Sequence, residues 1–154
     1  MSPDVHIEEF HGEEARAHWP DVRPLAMLVF AVDDADAWDR RVAFHPGLHV
    51  LVARAAEQVV GFKIGYLSRP DRMESWLGGV HPDWRRHGVG AAMMRRQHAW
   101  AAAQGLRRIW TLTHDHWPAM IALNLAHGFH IIGSYTERSG GTKLILEKCF
   151  VRGE

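Results

Sequence analysis

The chain has 154 residues, with 18 Lys and Arg balancing 18 Asp and Glu, and 12 His besides. That length suits one domain around one core, and the even charge supplies no field to hold a nucleic acid backbone or an anionic membrane. A single cysteine, Cys149, excludes an internal disulfide and a Cys-rich zinc site, and fits a reducing cytoplasm.

The N-terminus, MSPDVHIEEFHGEEARAHW, is acidic and lacks the basic-then-apolar order of a signal peptide. No apolar run approaches the roughly 18 residues of a membrane span. Without repeats or a linker, the expectation is one cytoplasmic domain over residues 1–154. Val5 to Phe10 alternates and can open a sheet, and Glu13 to His18 reads as a polar helical turn stopped near Pro20. Residues 22–44 read as two helices, with Asp33, Asp34 and Asp36 at the start of the second.

HVLVARA (49–55) and VVGFKIGYLS (59–68), separated by a very short gap, predict a hairpin. RPDR (69–72) is a turn, and MESWLGGV (73–80) is a third strand of this group. Its pair Gly78 and Gly79 predicts a bulge or a close backbone approach. From Gly88 to Gln104, apolar residues at 89, 92, 93, 99, 100 and 103 predict a one-sided helix capped by Gly105. A strand at 106–113, a helix at 117–127 and a hairpin around SGG (139–141), its last strand running to Val151, complete a mixed α/β sheet.

RRHGVG (85–90) joins a strand to the strongest helix. Two glycines there let the backbone turn and aim N–H groups outward, where orphan donors and the helix dipole can hold a diphosphate. On these residues alone, a glycine-containing turn that binds nothing is an equal reading. Neither a Rossmann GxGxxG in its βαβ setting nor a Walker GK followed by Ser or Thr is present.

VHPDWRRHGVGAAMM resembles the strand-loop-helix of the GNAT acetyltransferases, whose pattern is Arg or Gln, two residues, Gly, one residue, then Gly or Ala; Arg85, Gly88 and Gly90 fill it. MIALNLAHGF (120–129) is similar to the later family helix ending in Gly-Phe. GFKIGY and SWLGGV resemble a bacterial subgroup of that superfamily with no firm substrate. The resemblance implies a GNAT-like fold: N-terminal helices, then mostly antiparallel strands with a splayed central pair and a C-terminal hairpin. It further implies acetyl-CoA as cosubstrate, held by Gly78, Val80, Arg85, Arg86, His87, Gly88, Val89, Gly90, Ala91 and Asn124, with the pantetheine arm pairing beside Gly78 and Val80.

Acetyl transfer needs a base for the attacking amine and a proton for the leaving thiolate. Glu74, in the strand entering the cleft, is the candidate base, against the plainer reading of an exposed strand-end glutamate. Many family members place a tyrosine as acid where Asn124 aligns here, and an amide cannot donate a proton near neutral pH. Asn124 is therefore a candidate for hydrogen bonding in catalysis or cofactor binding. His114, Asp115 and His116 suit a polar helix cap better than a metal site, and no metal is expected. The tryptophans at 76, 84, 100, 110 and 117 are read as core packing.

The implied function is N-acetylation of a primary amine, most simply on a small molecule. A catalytically weakened acetyl-CoA-binding module, or an enzyme acting on a protein or tRNA amine, are the alternatives. No membrane partner is expected, nucleic acid is disfavoured, and a homodimer is left open. Asp33, Asp34, Asp36 and Asp39 either cap a helix or face the cleft and attract a cationic acceptor.

Overall fold

Two hydrophobic runs, buried along most of their length, form the middle of the molecule: β2 (His49–Ala55) and β3 (Gln58–Arg69), joined by a turn in which Ala56 takes a left-handed φ of 53°. The computed structural model describes residues 4–150. Around these strands a seven-stranded sheet is ordered β1-β2-β3-β4-β5-β7-β6, with β1 at Val5–His11, β4 at Arg72–Val80, β5 at Arg108–His114, β6 at His130–Thr136 and β7 at Thr142–Cys149. The expected extension of the last strand to Val151 lies outside the described residues. Every pairing is antiparallel except β4 with β5. β7 inserts between β5 and β6, so the C-terminal hairpin contributes its second strand to the sheet interior.

Helices cover both faces. On one face lie α1 (Glu13–Ala17), α2 (Trp19–Phe30) and α3 (Asp36–Phe44), whose Ala15, Trp19, Val22, Leu25 and Val42 pack on Val50, Val52, Phe62 and Ile64. The short helical turn expected at 13–18 forms as α1 and ends at Ala17, while Pro20 itself sits in the first turn of α2, where its missing N–H would have had no partner. Against the other face lies α4 (Val89–Ala103), with Val89 and Met93 on Val5, Leu51, Ala53 and Val60. Its buried stripe is Val89, Ala92, Met93, Met94, Gln97, His98 and Ala101, rotated from the stripe predicted through 99, 100 and 103. The helix ends as expected: Leu106 N–H donates to the Ala101 carbonyl at 3.1 Å and Gly105 has φ 78°. α5 (Pro118–Ala126) follows β5.

A bulge does occur in β4, two residues before the glycines. Ile64 faces Leu77 and Gly65 faces Ser75, which leaves Trp76 without a partner in the register. Gly78 and Gly79 pair regularly with Lys63 and Phe62. Gly79 instead admits close packing, since a Cβ there would come within 2.7 Å of Val29 Cγ1 on α2.

Candidate active site

β4 and β5 pair over only four positions, from Arg72 with Arg108 to Ser75 with Thr111. Thr111 Oγ1 closes the vertex by donating to the Ser75 carbonyl at 3.1 Å. Beyond it β4 runs on to Val80 with no partner on that side, so a row of backbone groups needs another ligand. The wedge holds two cavities of about 680 Å³ and 320 Å³ that share Phe30, Lys63, Gly78, Trp117 and Met120.

The larger cavity runs along Gly78, Gly79 and Val80 to Arg85 and Gly90, with Trp117, Pro118 and Leu123 on its far wall. Gly88 enters α4 at φ 78°, and Arg86 also has a positive φ of 67°. Among the described residues, no hydrogen-bond acceptor meets the backbone N–H groups of Arg86 through Ala91. Arg85 Nε holds the loop by donating to the Val80 carbonyl at 3.2 Å. Val89 contributes backbone alone, because its side chain is core. Arg86, His87, Gly88 and Ala91 do not line the cavity walls, whereas Gly78, Val80, Arg85 and Gly90 do. Orphan donors at the start of a long helix, bare backbone at Gly90 and an adjacent arginine fit a diphosphate.

The smaller cavity contains Glu74, Trp76, Arg41, Trp38, Thr111, Thr113, His114, Asn124 and Lys143. Tyr66 donates its hydroxyl to Glu74 Oε2 at 3.1 Å, and Arg41 donates to that hydroxyl at 3.3 Å. His45 stacks on Tyr66 with centroids 3.6 Å apart, and the Arg41 guanidinium lies 4.2 Å from the Trp76 ring centre. Burial, reinforced by Glu74, raises the Tyr66 phenol above its usual range. Burial and then Arg41 lower His45, keeping it neutral.

Several expectations change here. Asn124 is buried and lines this cavity, but its amide donates to the Met120 carbonyl of its own helix at 3.0 Å. His114, Asp115 and His116 do not cap α5: Trp117 is its first flanking residue and no side-chain cap bond forms. His114 approaches Glu137, with His114 Nδ1 3.7 Å from Oε1. Trp76, Trp84 and Trp100 are half-buried and pack against the core as expected, whereas Trp117 is exposed, and Trp76 and Trp117 are also cavity walls. Asp39 accepts from Trp19 Nε1 at 2.7 Å and from Arg23 Nε at 2.9 Å, while Asp34 Oδ1 accepts from the Asp36 N–H at 2.9 Å. None of the four aspartates lines either cavity. Among the described residues, no group of three His, Cys, Asp or Glu side chains is placed to hold a metal ion. Cys149 is outside both cavities, its thiol pushed up by burial and by Glu147.

Lys63 went unnoticed in the sequence, where it is one lysine in an apolar strand. It lines both cavities, and no carboxylate among the described residues forms an ion pair with it. Desolvation lowers its ammonium to about 8. A Cβ on Gly78 would lie 3.6 Å from Lys63 Cγ and 3.8 Å from Nζ, so the missing side chain leaves the amine lying over the β4 backbone.

An interrupted sheet with orphan helix donors at its open end has the shape and the donors to take an extended ligand that carries a diphosphate. The chain belongs to the acetyltransferase (GNAT) family, whose model matches residues 10–129. A mycothiol acetyltransferase from Parafrankia sp. (strain EAN1pec) is 33% identical over 119 residues, covering 71% of this chain and 35% of that protein. The chain thus spans about a third of that relative's length. The ribosomal-protein-S18-alanine N-acetyltransferase from Escherichia coli has the same fold, with a TM-score of 0.79 at 16% identity over 97% of this chain and 96% of that one. A GNAT family acetyltransferase from Elizabethkingia anophelis with acetyl-CoA bound superposes with a TM-score of 0.74 at 13% identity, covering 97% of this chain and 100% of that one.

Proposed function

We propose that this acetyltransferase is a single domain that moves the acetyl group of acetyl-CoA to a primary amine, with the cosubstrate in the larger cavity and the acceptor in the smaller. The supporting observation is the β4–β5 wedge, with Arg85 and Gly90 at its larger cavity, Glu74 at its smaller, and Lys63 and Gly78 lining both. Backbone groups of Gly78 and Val80 would pair with the pantetheine arm, and the N–H groups from 86 to 91 together with Arg85 would take the diphosphate. The thioester supplies an activated acetyl carbon. Glu74 is the base: it would remove the ammonium proton of the acceptor, and Tyr66 holds its carboxylate toward the cavity.

A screen of small amines, peptides with free N-termini and aminoacylated tRNA against acetyl-CoA, read as free thiol, tests cosubstrate, reaction and acceptor together. The alternative, a binding module with weakened catalysis, is favoured by one observation: α5 carries an amide at Asn124, which cannot act as an acid near neutral pH. Steady turnover of any amine would dismiss it.

A further inference from the structure

A thiolate leaving from this site takes up a proton, and α5 carries no side chain that can act as an acid near neutral pH. The tyrosines are elsewhere, Tyr66 bonded to Glu74 and Tyr135 on the edge strand β6. Arg41, His114 and Lys143 line the smaller cavity and Arg85 and His116 the larger, and Lys63 is the titratable side chain that lines both. Its strand alternates so that Gly61 and Gly65, two residues to either side, face Met93 and Gln97 of α4. Tyr66 and Glu74, opposite each other in the register, lie on the face covered by α2 and α3. Base and amine therefore approach the split from opposite sides of the sheet.

We propose that Lys63 is the proton donor to the departing thiolate, reaching the sulfur over Gly78 from the α4 face while Glu74 serves the acceptor from the other. This rests on the acetyl-CoA reading above. In the step, the acceptor nitrogen forms the C–N bond, the C–S bond breaks, and its electron pair remains on sulfur. Lys63 gives Nζ–H to that sulfur. The nitrogen loses two protons in all: the ammonium proton passes through Glu74 to solvent before attack, the second passes to Glu74 as the amide forms, and solvent then restores Glu74 and Lys63.

The surroundings suit the role. β2 and β4 place Leu51 and Gly78 opposite Lys63, and α4 presents His98, which burial holds neutral and which bonds Lys148 of β7 at 2.9 Å. Glu74 of β4 shares the smaller cavity but lies on the opposite face of the sheet, and among the described residues no carboxylate pairs with the ammonium. An ammonium near 8 is still mostly protonated at neutral pH, so it carries a proton to give and a positive charge that favours a nearby thiolate.

The test uses CoA itself and needs no acceptor. Thiolate absorbance of bound CoA is followed against pH in the wild type, Lys63→Met and Lys63→Gln, with the acetyl-CoA-induced rise in Tm measured on each. The expected result is a bound thiol that ionises about 1–3 pH units below free CoA in the wild type. Both variants lose that displacement while keeping the Tm rise. Equal ionisation of bound thiol in all three, with the Tm rise intact, overturns the role of Lys63. A wild type whose Tm does not respond to acetyl-CoA overturns the cosubstrate reading first, and this role with it.

Discussion

Tyr66 and Glu74 face each other across β3 and β4, and the hydroxyl of the first donates to a carboxylate oxygen of the second at 3.1 Å. The phenol is anchored in turn by Arg41 and by the stacked His45 ring. A carboxylate held this way keeps one orientation toward the smaller cavity. Glu74→Gln should lower kcat by about a hundredfold with the amine that the screen finds, and leave KM for acetyl-CoA near its wild-type value. Equal turnover at pH 7 would return Glu74 to an ordinary strand residue.

Gly88 and Gly90 should fail differently. Gly88 has φ 78°, so Gly88→Val strains the backbone and should lower apo stability by about 1–2 kcal/mol as well as abolish the acetyl-CoA-induced rise in Tm. A Cβ at Gly90 would meet nothing nearer than Val80 Cγ2 at 3.8 Å. Gly90→Val should therefore keep the apo Tm and lose only the ligand response. Thermal scans with and without acetyl-CoA separate the two, and an undiminished response in both would move the diphosphate elsewhere.

His98 carries a pH signature. Burial, then the positive charges of Lys148, Lys63 and His127, lower it to about 3 in the folded chain, against about 6.5 unfolded. The unfolded state then binds the extra proton, so this contribution is complete above about pH 6.5 and declines as pH falls toward 3. Denaturant unfolding from pH 7 to 4 should show a loss of stability that is shallower in His98→Gln. Parallel curves would mean that His98 is not held neutral.

The aspartates around α3 should matter for docking and not for acceptor choice. Asp39 ties α3 to Trp19 and Arg23 of α2, and the hydrogen bonds from Arg23 and then Trp19 lower its carboxyl below its usual range. Asp36→Asn/Asp39→Asn should lower Tm by a few degrees. The ratio of kcat/KM for a diamine to that for a matched monoamine should stay unchanged. A fall in that ratio would restore the cationic-acceptor reading.

Elements with strong local signals were legible in the sequence. The hairpin at 49–68, the Gly105 cap and the loop into α4 follow from alternation, turn chemistry and glycine placement, and each forms. The rotated face of α4 was not readable, because Gln97 and His98 are polar yet buried, whereas Ala99 and Ala103 are apolar yet exposed. The Gly78-Gly79 pair pointed to irregularity in the correct strand but not to Trp76 as the bulged residue. Lys63 carried no signal at all. Its character comes from three elements meeting around it, and only tertiary structure brings Gly78, α4 and the wedge together.

The placement of β7 between β5 and β6 bears on the order in which the molecule can assemble. Before β7 is synthesised, β5 has only its short parallel ladder to β4, four residues long, and parallel pairing over such a span is weak. β5 therefore waits for a strand that leaves the ribosome after α5 and β6. A chain stalled or truncated before Thr142 would keep the half-sheet from β1 to β4, with Glu74 and Lys63 in place, and lose the wall that turns an open sheet edge into a cleft. Nascent chains should consequently gain protease resistance in two stages, the second coinciding with release of residues 142–149.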